Sequence, residues 1–163
     1  MNAANTITAI RIALIPLVIG FLYQSDPLLN GLVAGTLFLC ISLTDILDGY
    51  WARRLSEVSD LGKLLDPLAD KLLVCLVLIA LVGLGKVSAL PVMFIIGREL
   101  FIAGLRSQSM GEDRLFSANI LGKTKTVLQM LAVTMLIFNI TGAPVVLWGA
   151  VFLSWLSAVS YLL

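Results

Sequence analysis

The sequence predicts an all-α polytopic membrane protein, a single domain over 1–163 built as a bundle of six transmembrane helices with a cytoplasm-facing polar cavity. Three observations predict it. Of the 163 residues 60% are apolar and only 13% are charged, where a soluble domain carries roughly 45–50% apolar residues. The mean hydropathy is +1.03, which is more apolar surface than so short a chain can bury in water. The apolar sequence is also broken five times, at Gln24–Pro27, Leu55–Leu61, Gly83–Ser88, Ser107–Asn119 and Thr141–Pro144. The stretches left between the breaks are near the ~20 residues that a spanning helix needs.

In order, those stretches are 6–23, 28–54, 61–82, 89–106, 120–140 and 144–163. The first has no basic leader and no small-residue cleavage site, so it reads as a retained helix rather than a signal peptide. The second follows Pro27 and runs to the Arg53–Arg54 pair. The third starts beyond a polar turn and stops at Gly83. The fourth runs from Ser88 to Arg106, and the SQSMGEDRLFS connection after it is too short to be a domain. The fifth and sixth are divided by the Thr-Gly-Ala-Pro break. Pro16 and Pro67 kink or start helices.

Basic residues orient the bundle. Arg11, Arg53, Arg54, Lys63, Arg106, Arg114, Lys123 and Lys125 fall at one face of a six-helix arrangement. The opposite face has Lys86, while Lys71 and Arg98 lie inside helices. The positive-inside rule puts both termini and that basic face in the cytoplasm. A net charge of +1 argues against a nucleic-acid partner. The chain has no His, and its two cysteines, Cys40 and Cys75, sit in apolar runs as small buried hydrophobes without CxxC spacing. Zinc chemistry and Cys/His or Ser/His catalysis are thereby excluded.

Six of the ten acids crowd into 45–70, and Asp45, Asp48, Asp66 and Asp70 interrupt apolar helices. Each intramembrane acid costs roughly 2.5–3.5 kcal/mol, so four require a reason. Asp45 and Asp48 are three apart and Asp66 and Asp70 four apart, which gives each pair one helix face. In an antiparallel pair of helices Asp45 stands level with Asp70, and Asp48 with Asp66. Four carboxylates at one depth repel unless cations balance them. Two divalent cations would do so, and all-oxygen ligation favours Mg²⁺ or Mn²⁺. Such an ion pair suits phosphoryl transfer. The plainer alternative, carboxylates salt-bridged to Arg53, Lys63 and Lys71, explains neither the matched depths nor the small residues Gly49, Ala52 and Gly62 beside them.

Residues 45–70 read DILDGYWARRLSEVSDLGKLLDPLAD. This is DxxDGxxAR, eight residues, then GxxxDxxxD, and it resembles the signature of the CDP-alcohol phosphatidyltransferase family at every fixed position. The resemblance implies a six-helical, membrane-embedded, commonly homodimeric enzyme of the bacterial cytoplasmic membrane. Such an enzyme moves a phosphatidyl-type group from a CDP-linked donor to an alcohol and releases CMP. It also implies that Asp45, Asp48, Asp66 and Asp70 hold two divalent cations, with Asp70 as the general base. Gly49, Ala52, Arg53 and Gly62, with Asn5 and Thr8 of the first helix, would then hold the cytidine diphosphate. A guanidinium pairs well with phosphate, and a glycine lets a nucleotide approach the backbone. Helix capping is the plainer reading of Asn5 and Thr8.

LDPLADK at 65–71, GRE at 97–99, GKTKT at 122–126 and the opening NTITAIRIALIP resemble family members that use CDP-diacylglycerol as donor and sn-glycerol 3-phosphate as acceptor. On that resemblance Arg98, Arg106, Lys123 and Lys125 would bind the acceptor phosphate. The plainer reading of Arg98 is a structural pair with an acid. Adjacent helix positions do not face each other, which weighs against Glu99 as that partner. The nearest enzyme rival is a cardiolipin synthase of the same superfamily, which takes a lipid acceptor and shares much of LDPLADK; GRE and GKTKT argue against it. A cation transporter using the same acids is the rival of another class, and it predicts polar residues continuing to the far face. Helices 2 and 3 instead turn apolar beyond Thr44 and Lys71.

Overall fold

The structure is a computed structural model that describes residues 3–24, 27–55, 60–108 and 120–162, with side chains described over 9–24, 29, 31–44, 71–105, 122 and 124–159. Six helices follow one another: α1 (Ala3–Leu22), α2 (Pro27–Leu55), α3 (Asp60–Gly83), α4 (Ala89–Gln108), α5 (Ile120–Ile137) and α6 (Ala143–Leu162). Every described regular element is helical, as the sequence predicts. Pro16 lies inside α1, and Pro27 opens α2, where a missing N–H costs nothing.

The main difference in boundaries is at the end of α5, which stops at Ile137 rather than near 140. Asn139 takes a left-handed conformation with φ 53°. The Ile140 N–H then donates to Met135 O at 2.9 Å and the Asn139 N–H to Leu136 O at 3.2 Å, the double bond of a Schellman cap. Asn is the residue after Gly that best tolerates this backbone. The same motif ends α3. Gly85 has φ 68°, the Lys86 N–H donates to Leu81 O at 2.9 Å and the Gly85 N–H to Val82 O at 2.9 Å. Ser88 then accepts from the Leu90 N–H at 3.4 Å and starts α4.

Lys86, the basic residue of the far face, donates from Nζ to Ile137 O at 3.3 Å, joining the α3–α4 turn to the end of α5. At the same end the Tyr23 hydroxyl donates to Ala80 O at 3.4 Å, and the Phe138 ring lies over Gly35, where a Cβ would meet it at 2.5 Å.

α1 packs against α2 and α3, α5 against α2, α3 and α6, and α4 against α3 and α6. Phe38, Ile15, Leu73, Leu78, Leu81, Ile95, Ile137 and Leu147 are fully enclosed at their junctions. α1 and α5 thus each pack against both α2 and α3. Each helix exposes large apolar side chains, Ile10, Leu29, Ile79, Leu100, Val127 and Phe152 among them. Cys40 is exposed and Cys75 half-buried, so neither is the fully buried hydrophobe the sequence predicts. Counted over the described residues, no helix is long and apolar enough to cross a membrane.

Candidate active site

The acidic signature is carried on two helices. Asp45, Asp48, Gly49, Ala52 and Arg53 lie in the C-terminal half of α2, and Gly62, Asp66 and Asp70 in the N-terminal half of α3. Their side chains lie outside the described residues. So do those of Asn5 and Thr8 at the start of α1, Arg106 in the last turn of α4 and Lys123 in the first turn of α5. Among the described residues no three of His, Cys, Asp or Glu assemble as a metal site. The donor chemistry of the four aspartates fits a hard divalent cation. All are carboxylates, their helices follow each other directly, and the chain offers no imidazole to compete.

Elsewhere in the bundle the structure brings Arg98 and Lys125 together, on one carboxylate. Glu99 is 6% exposed, Arg98 3% and Lys125 6%. Glu99 Oε1 accepts from Arg98 Nη1 at 3.0 Å and from Lys125 Nζ. Lys71 Nζ stands 3.5 Å from Glu99 Oε2, and Arg98 Nε donates to Ser154 O at 3.1 Å. Among the described residues three cations therefore share a single acid at the junction of α3, α4, α5 and α6.

This corrects one sequence argument. Arg98 and Glu99 do pair, although adjacent helix positions diverge. The reason is length: the Arg98 fork reaches Ser154 on α6 with one nitrogen and curls back to Glu99 with another, and a planar guanidinium can satisfy both.

Beside the cluster is a pocket of about 40 Å³ whose polar wall is Lys71, Glu99, Lys125, Thr126 and Gln129. Its α3 wall includes Val74, one turn after Asp70, so the pocket continues the helix face that carries Asp66 and Asp70. Thr126 donates to Gly122 O at 3.1 Å. The Gln129 amide nitrogen is buried with no hydrogen-bond partner among the described residues.

Sequence reasoning did not single out Gln129, and it used Lys71 and Glu99 only as structural partners. The signals were present. Gln129 follows Lys125 by four, on one face, and Glu99 is an acid in the middle of an apolar helix, which has a cost that needs a purpose.

A bundle of six helices with an aspartate-rich signature on two of them and a basic cluster around Glu99 defines the class. The chain belongs to the CDP-alcohol phosphatidyltransferase family, whose model matches residues 1–156. A CDP-diacylglycerol–glycerol-3-phosphate 3-phosphatidyltransferase of Rickettsia bellii (strain RML369-C) is 37% identical over 169 residues, covering 98% of this chain and 93% of the relative. The protein of the same name from Bacillus subtilis (strain 168) is 39% identical over 180 residues, with the same coverage of 98% and 93%. That from Mycoplasma pneumoniae (strain ATCC 29342 / M129 / Subtype 1) is 43% identical over 106 residues, covering 65% of this chain and 47% of the relative.

Proposed function

We propose that this chain transfers the phosphatidyl group of CDP-diacylglycerol to the 1-hydroxyl of sn-glycerol 3-phosphate, giving phosphatidylglycerophosphate and CMP. The observation that carries the reading is the pairing of an unbroken acidic signature with a largely buried cluster that holds more cations than acids among the described residues, in a chain that aligns along 98% of its length with relatives named for this reaction. An acceptor that brings its own phosphate needs such cations.

The apolar exterior supports placing the six helices in a lipid bilayer, since that many large side chains facing water would drive association. The basic residues favour the cytoplasmic side of a bacterial cytoplasmic membrane for both termini and the site. The protein is read as a homodimer on the family resemblance.

Asp45, Asp48, Asp66 and Asp70 would hold two Mg²⁺ or Mn²⁺ ions, which when bound neutralise the diphosphate charge and stabilise the leaving phosphate. Arg53 pairs with the diphosphate, and Gly49, Ala52 and Gly62 leave room for the nucleotide, with Asn5 and Thr8 closing from α1. Asp70 takes the proton from the 1-hydroxyl, whose oxygen attacks the lipid-side phosphorus as CMP departs in line. Arg98 and Lys125, with Arg106 and Lys123, hold the acceptor phosphate. A net positive cluster of Lys71, Arg98, Lys125 and Glu99 suits an anion.

The test is acceptor choice. Purified protein in detergent is given CDP-diacylglycerol with sn-glycerol 3-phosphate, phosphatidylglycerol, serine or inositol phosphate, and CMP release is followed. Turnover with the first acceptor alone is expected. Turnover with phosphatidylglycerol instead would make the chain a cardiolipin synthase.

A further inference from the structure

We infer that Lys71 contacts the acceptor's phosphate directly, as the accessible cation of the Glu99 cluster, with the field of Arg98 and Lys125 behind it. The inference rests on the acceptor reading above and deepens it by adding a residue to that phosphate site.

The three cations on Glu99 differ in what they can reach. The Arg98 side chain is 4% exposed and that of Lys125 7%, while Lys71 keeps 28% of its surface. Arg98 donates from Nη1 to Glu99 Oε1 and from Nε to Ser154 O, and Lys125 donates to the same Oε1. Lys71 Nζ instead stands 3.5 Å from Oε2, which is longer than a good hydrogen bond. An ammonium has three N–H donors. Lys71 can therefore turn them toward an incoming anion while Glu99 keeps the hydrogen bonds from Arg98 and Lys125.

Position agrees. Lys71 directly follows Asp70 on α3, whereas Arg98 and Lys125 stand on α4 and α5. In a three-carbon acceptor the phosphate is only a few bonds from the hydroxyl assigned to Asp70, so a cation beside that base is the one placed to receive it. Lys71 also lines the same pocket as Glu99 and Lys125, so an anion held there lies in the field of the whole cluster.

The competing account makes Lys71 a structural partner of Glu99 and nothing more. The two accounts differ in what removal of the charge does to the fold. Without Lys71 the carboxylate still has Arg98 and Lys125, and repulsion among the cations falls. A partly exposed ion pair of this length contributes little stability.

The experiment compares purified wild type with Lys71→Gln in detergent, measuring KM for each substrate, inhibition by inorganic phosphate and by CMP, and the thermal midpoint without substrate. Loss of a charge-assisted hydrogen bond should raise KM for sn-glycerol 3-phosphate and Ki for inorganic phosphate by a common factor, roughly tenfold or more. KM for CDP-diacylglycerol and Ki for CMP should stay within about twofold, and the thermal midpoint within about 4 °C. A rise in the CDP-diacylglycerol and CMP constants instead would put Lys71 on the donor's diphosphate, and unchanged constants throughout would leave it no ligand; either overturns the inference. So does a Lys71→Gln protein that fails to fold or melts far lower, since that is the mark of a structural partner. A wild type that releases no CMP with sn-glycerol 3-phosphate, but does so with another acceptor, sinks the acceptor reading itself and is seen without any variant.

Discussion

Arg98 on α4 donates through Nε to the backbone carbonyl of Ser154 on α6, 3.1 Å away, while its Nη1 reaches Glu99. One planar side chain thus satisfies an α6 carbonyl and orients the carboxylate that holds Lys125. Arg98→Lys keeps the charge but has a single nitrogen, so one of the two bonds goes. The expected loss is about 1–2 kcal/mol of stability, read as a lower thermal midpoint in detergent.

Glu99 faces three cations, and removing its charge leaves them without a carboxylate among the described residues. Breaking a buried ion pair from one side costs about 3–5 kcal/mol, so Glu99→Gln should be severely destabilised and lose acceptor turnover. Adding Lys125→Met should recover part of the stability, because the second change removes a stranded cation. Thermal unfolding of the two single variants and the double variant closes the cycle.

Two glycines at the far end separate by what they touch. A Cβ at Gly35 would meet three ring atoms of Phe138 at 2.5, 2.8 and 3.1 Å, whereas one at Gly83 would meet the Tyr23 hydroxyl at 2.5 Å. Both neighbours are exposed ring tips, but the Cβ at Gly35 displaces three ring atoms where the one at Gly83 displaces a single hydroxyl within 3 Å. Gly35→Ala should cost about 1–3 kcal/mol by overpacking, and Gly83→Ala clearly less, by the same thermal measurement.

Chelation should abolish CMP release, and Mg²⁺ or Mn²⁺ should restore it where Zn²⁺ does not, since the proposed ligands are all carboxylates. Asp70→Asn should lower kcat by about 10²–10⁴ if it removes the general base. CMP binding, measured separately in the same variant, should survive. A variant with most of its turnover intact would overturn the base assignment.

The helices were legible because apolar runs and their breaks are composition-level signals that local chemistry sets: Pro27, Ser88, Gly85 and Pro144 mark ends where the backbone must change. The end of α5 was less so, since Asn139 is ordinary in a sequence and only its left-handed backbone stops the helix. The signature on α2 and α3 could be read because spacing alone places Asp45 with Asp48 and Asp66 with Asp70. The hub at Glu99 could not. It joins residues from four helices, and no pattern within one helix reports that Arg98, Lys125 and Lys71 meet there.

The tie from Lys86 to the last carbonyl of α5 joins two helix ends. Sliding α3 lengthwise past α5 would tear that tie and disturb the two left-handed stops beside it, at Gly85 and Asn139. Tilting the helices about that rim keeps all three. Lengthwise sliding is therefore the motion that this rim resists.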